Sequence, residues 1–128
     1  HALSPALSHL LNHFGASLFA FKPSAIVAYS MGQWGGARAA VNMRSFLSEL
    51  GCLPVSAMIH IPKAHEAIDS DGQFQAEQER WESYFGRTLA QLMWWADAAN
   101  AHKAEQDPTR LSPAFHHTPS QRDAPSCQ

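Results

Sequence analysis

The chain is poor in several things, and each shortage narrows its function. Only two of its 128 residues are cysteine, Cys52 and Cys127. Without a C-x-x-C spacing these form no disulfide framework, zinc knuckle or thioredoxin-like motif. Charge is sparse and balanced, with nine Lys and Arg against eleven Asp and Glu. Basic residues gather in no segment, so no nucleic-acid surface is expected. No apolar run approaches the roughly 18 residues that a membrane-spanning helix needs. No basic, apolar leader opens the chain, which starts at His1 and reads as a piece trimmed or cut from a longer frame. The cysteine usage suits a reducing, cytoplasmic compartment. What the chain does have is a 45% apolar content, enough for the core of one domain.

Patterning predicts an α/β chain. Residues 4–15 carry helix signals at both ends: Ser4 can cap, Pro5 suits the first turn and Gly15 suits the terminus. Leu7, Leu10, Leu11 and Phe14 share one face. Lys22-Pro23-Ser24 then breaks the chain before Ala25–Tyr29, an uncharged run without alternation that predicts a parallel strand buried on both faces. Residues 37–50 predict a second helix with Ala40, Met43, Phe46, Leu47 and Leu50 as its stripe, ended by Gly51. From Pro54 to Ile61, Val55, Ala57, Ile59 and Ile61 alternate with Ser56, Met58 and His60, as in a strand near a sheet edge. The unit 25–61 is thus a parallel crossover. A turn at Asp69–Gly72 precedes a long helix from Phe74 to about Ala99, with Trp81, Phe85, Leu89, Leu92 and Ala96 on one face. Domain limits are expected at 1–100, with 101–128 a disordered tail.

The chemistry concentrates where the first strand ends, at Ser30-Met-Gly-Gln-Trp-Gly-Gly36. In open parallel sheets ligands bind outside the carboxyl ends of strands, at turns of this kind. Two chemistries use such a turn. One holds a flavin, with backbone N–H groups and a helix N-terminus against a polar cofactor edge. The other is a nucleophile elbow, since Ala28-Tyr-Ser30-Met-Gly32 is one small-residue swap from Gly-x-Ser-x-Gly. A hydrolase would need an acid and then a histidine downstream; Asp69 or Asp71 with His102 supply that order on paper. A third possibility is a non-catalytic half-domain. The loop matches neither G-x-G-x-x-G nor a Walker pattern.

Eight histidines invite a metal hypothesis, yet no H-E-x-x-H occurs around His60, His65 and Glu66, and His116-His117 falls in the presumed tail. Capping or solvated histidines are expected, with no metal. In Trp94-Trp95, one ring is expected to pack on the sheet and the other to point toward a loop or partner subunit, because neighbours on a helix diverge.

Taken in order, the segments resemble the C-terminal half of the NADPH-dependent FMN reductase family, of flavodoxin-like fold. Pro5–Phe14 resembles the helix after the family's Pro-Glu-Tyr-Asn loop, and Lys22–Arg38 its fourth strand and glycine loop. Leu47–Gly51 with Pro54-Val55, then Ile61-Pro62, His65-Glu66-Ala67 and Asp71-Gly72, resemble the run to the fifth strand and beyond. His9 and Asn12 depart from the family's usual Asn and Asp. The resemblance implies an α/β flavodoxin-like parallel sheet with flanking helices, FMN as cofactor, NAD(P)H as co-substrate and a flavin or quinone as electron acceptor. It implies a homo-oligomer in the full-length form. Ser30, Met31, Gly32, Gln33, Trp34, Gly35 and Gly36 would form the loop against the isoalloxazine ring. Amides of Gly32, Gln33 and Gly35 would contact it, and Trp34 would shield it or reach a partner. His1 would end the third-strand loop. No side chain is implied as acid or base. The family's phosphate-cradling first-strand loop has no counterpart here, so weak FMN binding by this chain alone is expected, along with an unpaired edge on strand 25–30.

Overall fold

Two short extended stretches on either side of a helix pair in parallel, and this pairing organises the computed structural model, which describes residues 2–14 and 16–111. The order is α1 (Pro5–Asn12), α2 (Ala16–Phe19), β1 (Pro23–Ser24), β2 (Val27–Tyr29), α3 (Ala37–Glu49), β3 (Leu53–Pro54), β4 (Ile59–Ile61), α4 (Ala64–Ala67) and α5 (Gln78–Glu105). A 3-10 turn, Pro108–Arg110, follows.

The strand predicted at Ala25–Tyr29 forms only over Val27–Tyr29, whereas Pro23 and Ser24, read as a break, pair as β1. The strand predicted from Pro54 to Ile61 is interrupted. Pro23 and Ser24 pair with Leu53 and Pro54, while Val27, Ala28 and Tyr29 pair with Ile59, His60 and Ile61. The second strand thus spends two more residues than the first between the paired segments. Pro54 offers no N–H to continue the ladder, and Ser56 bends away. The alternation read along 54–61 still reports burial, since Val55, Ile59 and Ile61 are all buried.

The expectation that 25–29 is buried on both faces fails. Ile26 is buried and Ala28 half-buried, but Val27 and Tyr29 are 52% and 73% exposed. The cause is coverage: α3 lies along β2 and β3, whereas α5 lies along β1 and β4 and leaves the far face of β2 open. The principal core joins Ile26 to Ala40 and Met43 of α3, with Leu3, Leu11, Ala28, Phe46, Leu47 and Met58 packed around them.

Helix ends differ from the sequence reading for local reasons. Pro5 opens α1 as predicted, but the Ser4 side chain makes no capping bond; the Ser8 hydroxyl instead donates to the Ser4 and Pro5 carbonyls. The helix stops at Asn12, and Gly15 lies outside the described residues. Leu7, Leu10 and Phe14 stay exposed. Gly51 ends α3 at a φ of 84°, as its type predicts. Phe74 does not start the long helix, because it bridges Ile68 and stacks on Trp81 at 4.6 Å. At the other end α5 continues to Glu105, through residues read as tail, where Ala98, Ala99, Ala101 and Ala104 favour helix and His102 and Lys103 suit its negative end. The rest of that predicted tail, residues 112–128, lies outside the described residues.

Candidate functional site

The loop between β2 and α3 is fixed by the turn that follows β4. The Ser30 N–H donates to the Ile61 carbonyl at 3.2 Å, the Ala64 N–H donates to the Ser30 carbonyl at 2.9 Å, and the Lys63 N–H donates to the Gly32 carbonyl at 3.1 Å. Two glycines make this approach possible. Gly35 has φ 51°, and a Cβ there would stand 2.9 Å from the backbone nitrogens of both Ile61 and Pro62. Gly36 has φ 74°, and its Cβ would stand 3.1 Å from the Ala28 Cβ. Both φ values disfavour any L side chain. The close approach these glycines permit is therefore to the chain's own sheet.

Beside the loop lies a groove of about 510 Å³, lined by Ser30, Gly32, Trp34, Gly36, Ala37, Arg38 and Ala39. The amides of Gly32, Gln33 and Trp34 make no backbone hydrogen bond among the described residues, whereas the buried Gly35 donates its N–H to the Gly32 carbonyl at 3.4 Å. The Ser30 hydroxyl donates to that same carbonyl at 3.2 Å. Helix α3 starts at the groove with Gly36 as its N-cap and no side-chain cap, so its first turn presents the positive end of its dipole there. Met31 and Trp34 project into solvent, Trp34 at 71% exposure. Ala37, Arg38 and Ala39 were not among the residues singled out from sequence. A helix opening directly after a glycine loop is the signal that marks them. His1 lies outside the described residues.

The hydrolase constellation is not assembled. An elbow nucleophile sits on a sharp strand-to-helix turn, whereas Ser30 stands at the head of a loop that reaches Ala37 before helix begins. Its hydroxyl donates to a loop carbonyl rather than to a base. Asp69 is occupied by its own turn, its Oδ1 accepting from the Asp71 and Gln73 amides. His102 lines another groove, of about 470 Å³, where β1 and β3 begin, together with Phe21, Cys52 and Trp95. Burial pushes the Cys52 thiol up, partly offset by Ser24 and Lys22.

No group of three His, Cys, Asp or Glu stands close enough to hold a metal among the described residues. His65 stands 3.6 Å from Glu66. The expected divergence of Trp94 and Trp95 is also corrected: the two rings meet edge to face at 4.7 Å, and both are exposed. No helix among the described residues is long and apolar enough to cross a membrane.

Small parallel sheets with flanking helices, and a glycine loop with a groove at the carboxyl end of a strand, define an α/β protein of the flavodoxin-like kind. The family model described as NADPH-dependent FMN reductase matches residues 1–66, just over half the chain, and covers the whole of the glycine loop. The chain belongs to that family. No curated protein and no solved structure matches it.

Proposed function

We propose that the protein is an NAD(P)H-dependent flavin or quinone oxidoreductase that works through FMN held against the Ser30–Gly36 loop. The observation that carries this reading is the groove beside that loop, where unbonded amides of Gly32, Gln33 and Trp34 meet the first turn of α3. Those donors and the uncapped helix start fit the polar edge of an isoalloxazine ring. When bound, FMN would supply the hydride chemistry between a nicotinamide and a free flavin or quinone.

The chain's residues hold and orient. The Gly32 and Gln33 amides contact the ring's polar edge; Ser30, Met31 and Gly36 shape the groove; and Trp34 shields the ring or reaches a neighbouring subunit. Gly35 acts through the backbone, letting the loop lie against Ile61 and Pro62. In the whole protein His1 completes the site from the third-strand loop. No acid or base is assigned. The working form is a homo-oligomer, and cytoplasmic placement follows from the sparse cysteine usage.

The test is a flavin titration by fluorescence quenching, with FMN and riboflavin side by side. The loop faces the ring and not the phosphate, so this chain is expected to bind both equally and more weakly than micromolar. A longer protein carrying the first- and third-strand loops is expected to bind FMN tightly and to prefer it over riboflavin. No quenching in either protein overturns the flavin reading of this loop. Micromolar or tighter FMN binding by the chain alone overturns the assignment of the loop to the ring.

A further inference from the structure

The groove where β1 and β3 begin lies at the other end of the parallel strands from the Ser30–Gly36 loop. Part of its wall comes from the last turns of α5, beyond the stretch that matches the family. Trp95, Ala99, His102 and Lys103 stand at i, i+4, i+7 and i+8 and so share one helical face. Ala99 is the small member of that row, and its size leaves room between Trp95 and Lys103. Phe21, Leu53 and Leu111 supply the remaining bulk. Leu53, Trp95 and Leu111 are 55%, 44% and 62% exposed, so the groove gathers three large apolar side chains that the fold leaves in water.

The backbone beneath is tightly held. Phe21 has φ 61°, a left-handed conformation that is an outlier for a bulky residue. Its N–H donates to the Gly51 carbonyl at 3.1 Å, and the Leu53 N–H donates to the Lys22 carbonyl at 2.9 Å. Gly51 comes so near that a Cβ on it would stand 3.0 Å from the Ala20 Cα. Strain of this kind persists only where neighbours over-determine it, and it gathers at ligand clamps. The volume, about 470 Å³, is that of a small-molecule site.

Charge selects the ligand. Among the described residues the lining holds two basic side chains, His102 and Lys103, and no acidic one. Lys103 is half-buried and has no ion-pair partner among the described residues, while Asp107 is taken by Arg110 at 3.7 Å. We propose that this groove binds a small amphipathic carboxylate. Its alkyl chain lies against Phe21, Leu53 and Trp95, and its anionic head meets Lys103 beside His102. A lysine whose stem follows apolar surface and whose ammonium reaches the rim suits that arrangement. An uncharged apolar guest leaves the ammonium without a partner, and a cationic one is repelled by it. The inference stands apart from the flavin reading, and its test uses no flavin.

Cys52, in the lining, is the reporter, and octanoate, octanol and octyltrimethylammonium are the probes. Alkylation of the Cys52 peptide in the full chain, read by mass spectrometry, is expected to slow saturably with octanoate. Half-protection should fall near about 1 mM, as suits so small a ligand. Octanol should protect about five-fold more weakly for want of a charge, and the ammonium more weakly still. Lys103→Glu is expected to remove the preference for octanoate over octanol with unchanged helical circular dichroism, and Ala99→Leu to abolish protection by filling the space. No protection by octanoate, equal protection by all three probes, or an unchanged preference in Lys103→Glu would each overturn the proposal. So would a Cys52 that octanoate shields only after residues 112–128 are removed, which would give the groove to the chain's own end.

Discussion

The two flanks of the sheet are held by different means. On the α3 flank the contact is made by shape: Ile26 meets Ala40 and Met43, and Gly35 and Gly36 bring the loop within van der Waals reach of the strands. On the α5 flank it is made by directional hydrogen bonds to backbone. The Tyr84 hydroxyl accepts from the His60 N–H at 3.0 Å and donates to the Met58 carbonyl at 3.4 Å. The Gln91 side-chain oxygen accepts from the Ser56 hydroxyl at 2.9 Å and the Ala57 N–H at 3.2 Å. The difference follows from the excursion between β3 and β4. A parallel strand that leaves its ladder exposes backbone groups that must find partners, and the helix passing over the excursion supplies them. Arg44 does the same from the α3 side, donating to the carbonyls of Pro54, Val55 and Ser56 at 3.3, 2.7 and 3.1 Å. On the shape-built flank it works in the other flank's manner.

If this contrast is right, the gravest single change is steric. Gly35→Ala forces a side chain against the backbone of Ile61 and Pro62 at positive φ, and should cost about 3 kcal/mol in urea denaturation. Arg44→Met keeps the aliphatic stem and removes the donors to three carbonyls. It should cost about 2 kcal/mol in the same assay. The α5 flank offers a change of opposite sign. Thr88 is fully buried, and its hydroxyl finds no partner among the described residues. Thr88→Val should therefore stabilise the fold by about 1 kcal/mol. Equal destabilisation from Gly35→Ala and from Thr88→Val would erase the distinction between the flanks.

The smallest effect concerns Cys52, whose thiol burial holds above its ordinary 9.0. A raised folded-state value favours the neutral thiol. Its contribution to stability is present in full below about pH 9 and declines as pH rises past that point. At pH 8 the Cys52 peptide should alkylate more slowly in the native protein than in the denatured chain, as read by mass spectrometry. Equal rates would count against the burial of the thiol.

Much of the fold could be read directly because its determinants are local. Pro5 marks the first turn of α1, Gly51 the end of α3, and the spacing of Ala40 and Met43 the buried stripe. The glycine loop was legible for the same reason. What escaped depends on contacts between distant segments. The break in both strands is a register difference between two pairings, visible in neither strand alone. The exposure of Val27 and Tyr29 depends on where α5 lies, and no property of their own run reports that. On α5 the apolar pattern named Leu89 as inward, when the inward position is Thr88, a polar residue that a hydrophobic period passes over. Arg38 reaches the groove only through the fold, because the helix after the last glycine lines the same space as the loop.

The three backbone hydrogen bonds that tie Ser30 and Gly32 to the end of β4 and the turn after it bear on timing as well as shape. A loop anchored in this way is already ordered before any ligand arrives, so little conformational entropy is left to lose on binding. Association at the groove should then proceed in one kinetic phase whose observed rate climbs linearly with ligand concentration, without the plateau that a loop waiting to open would impose.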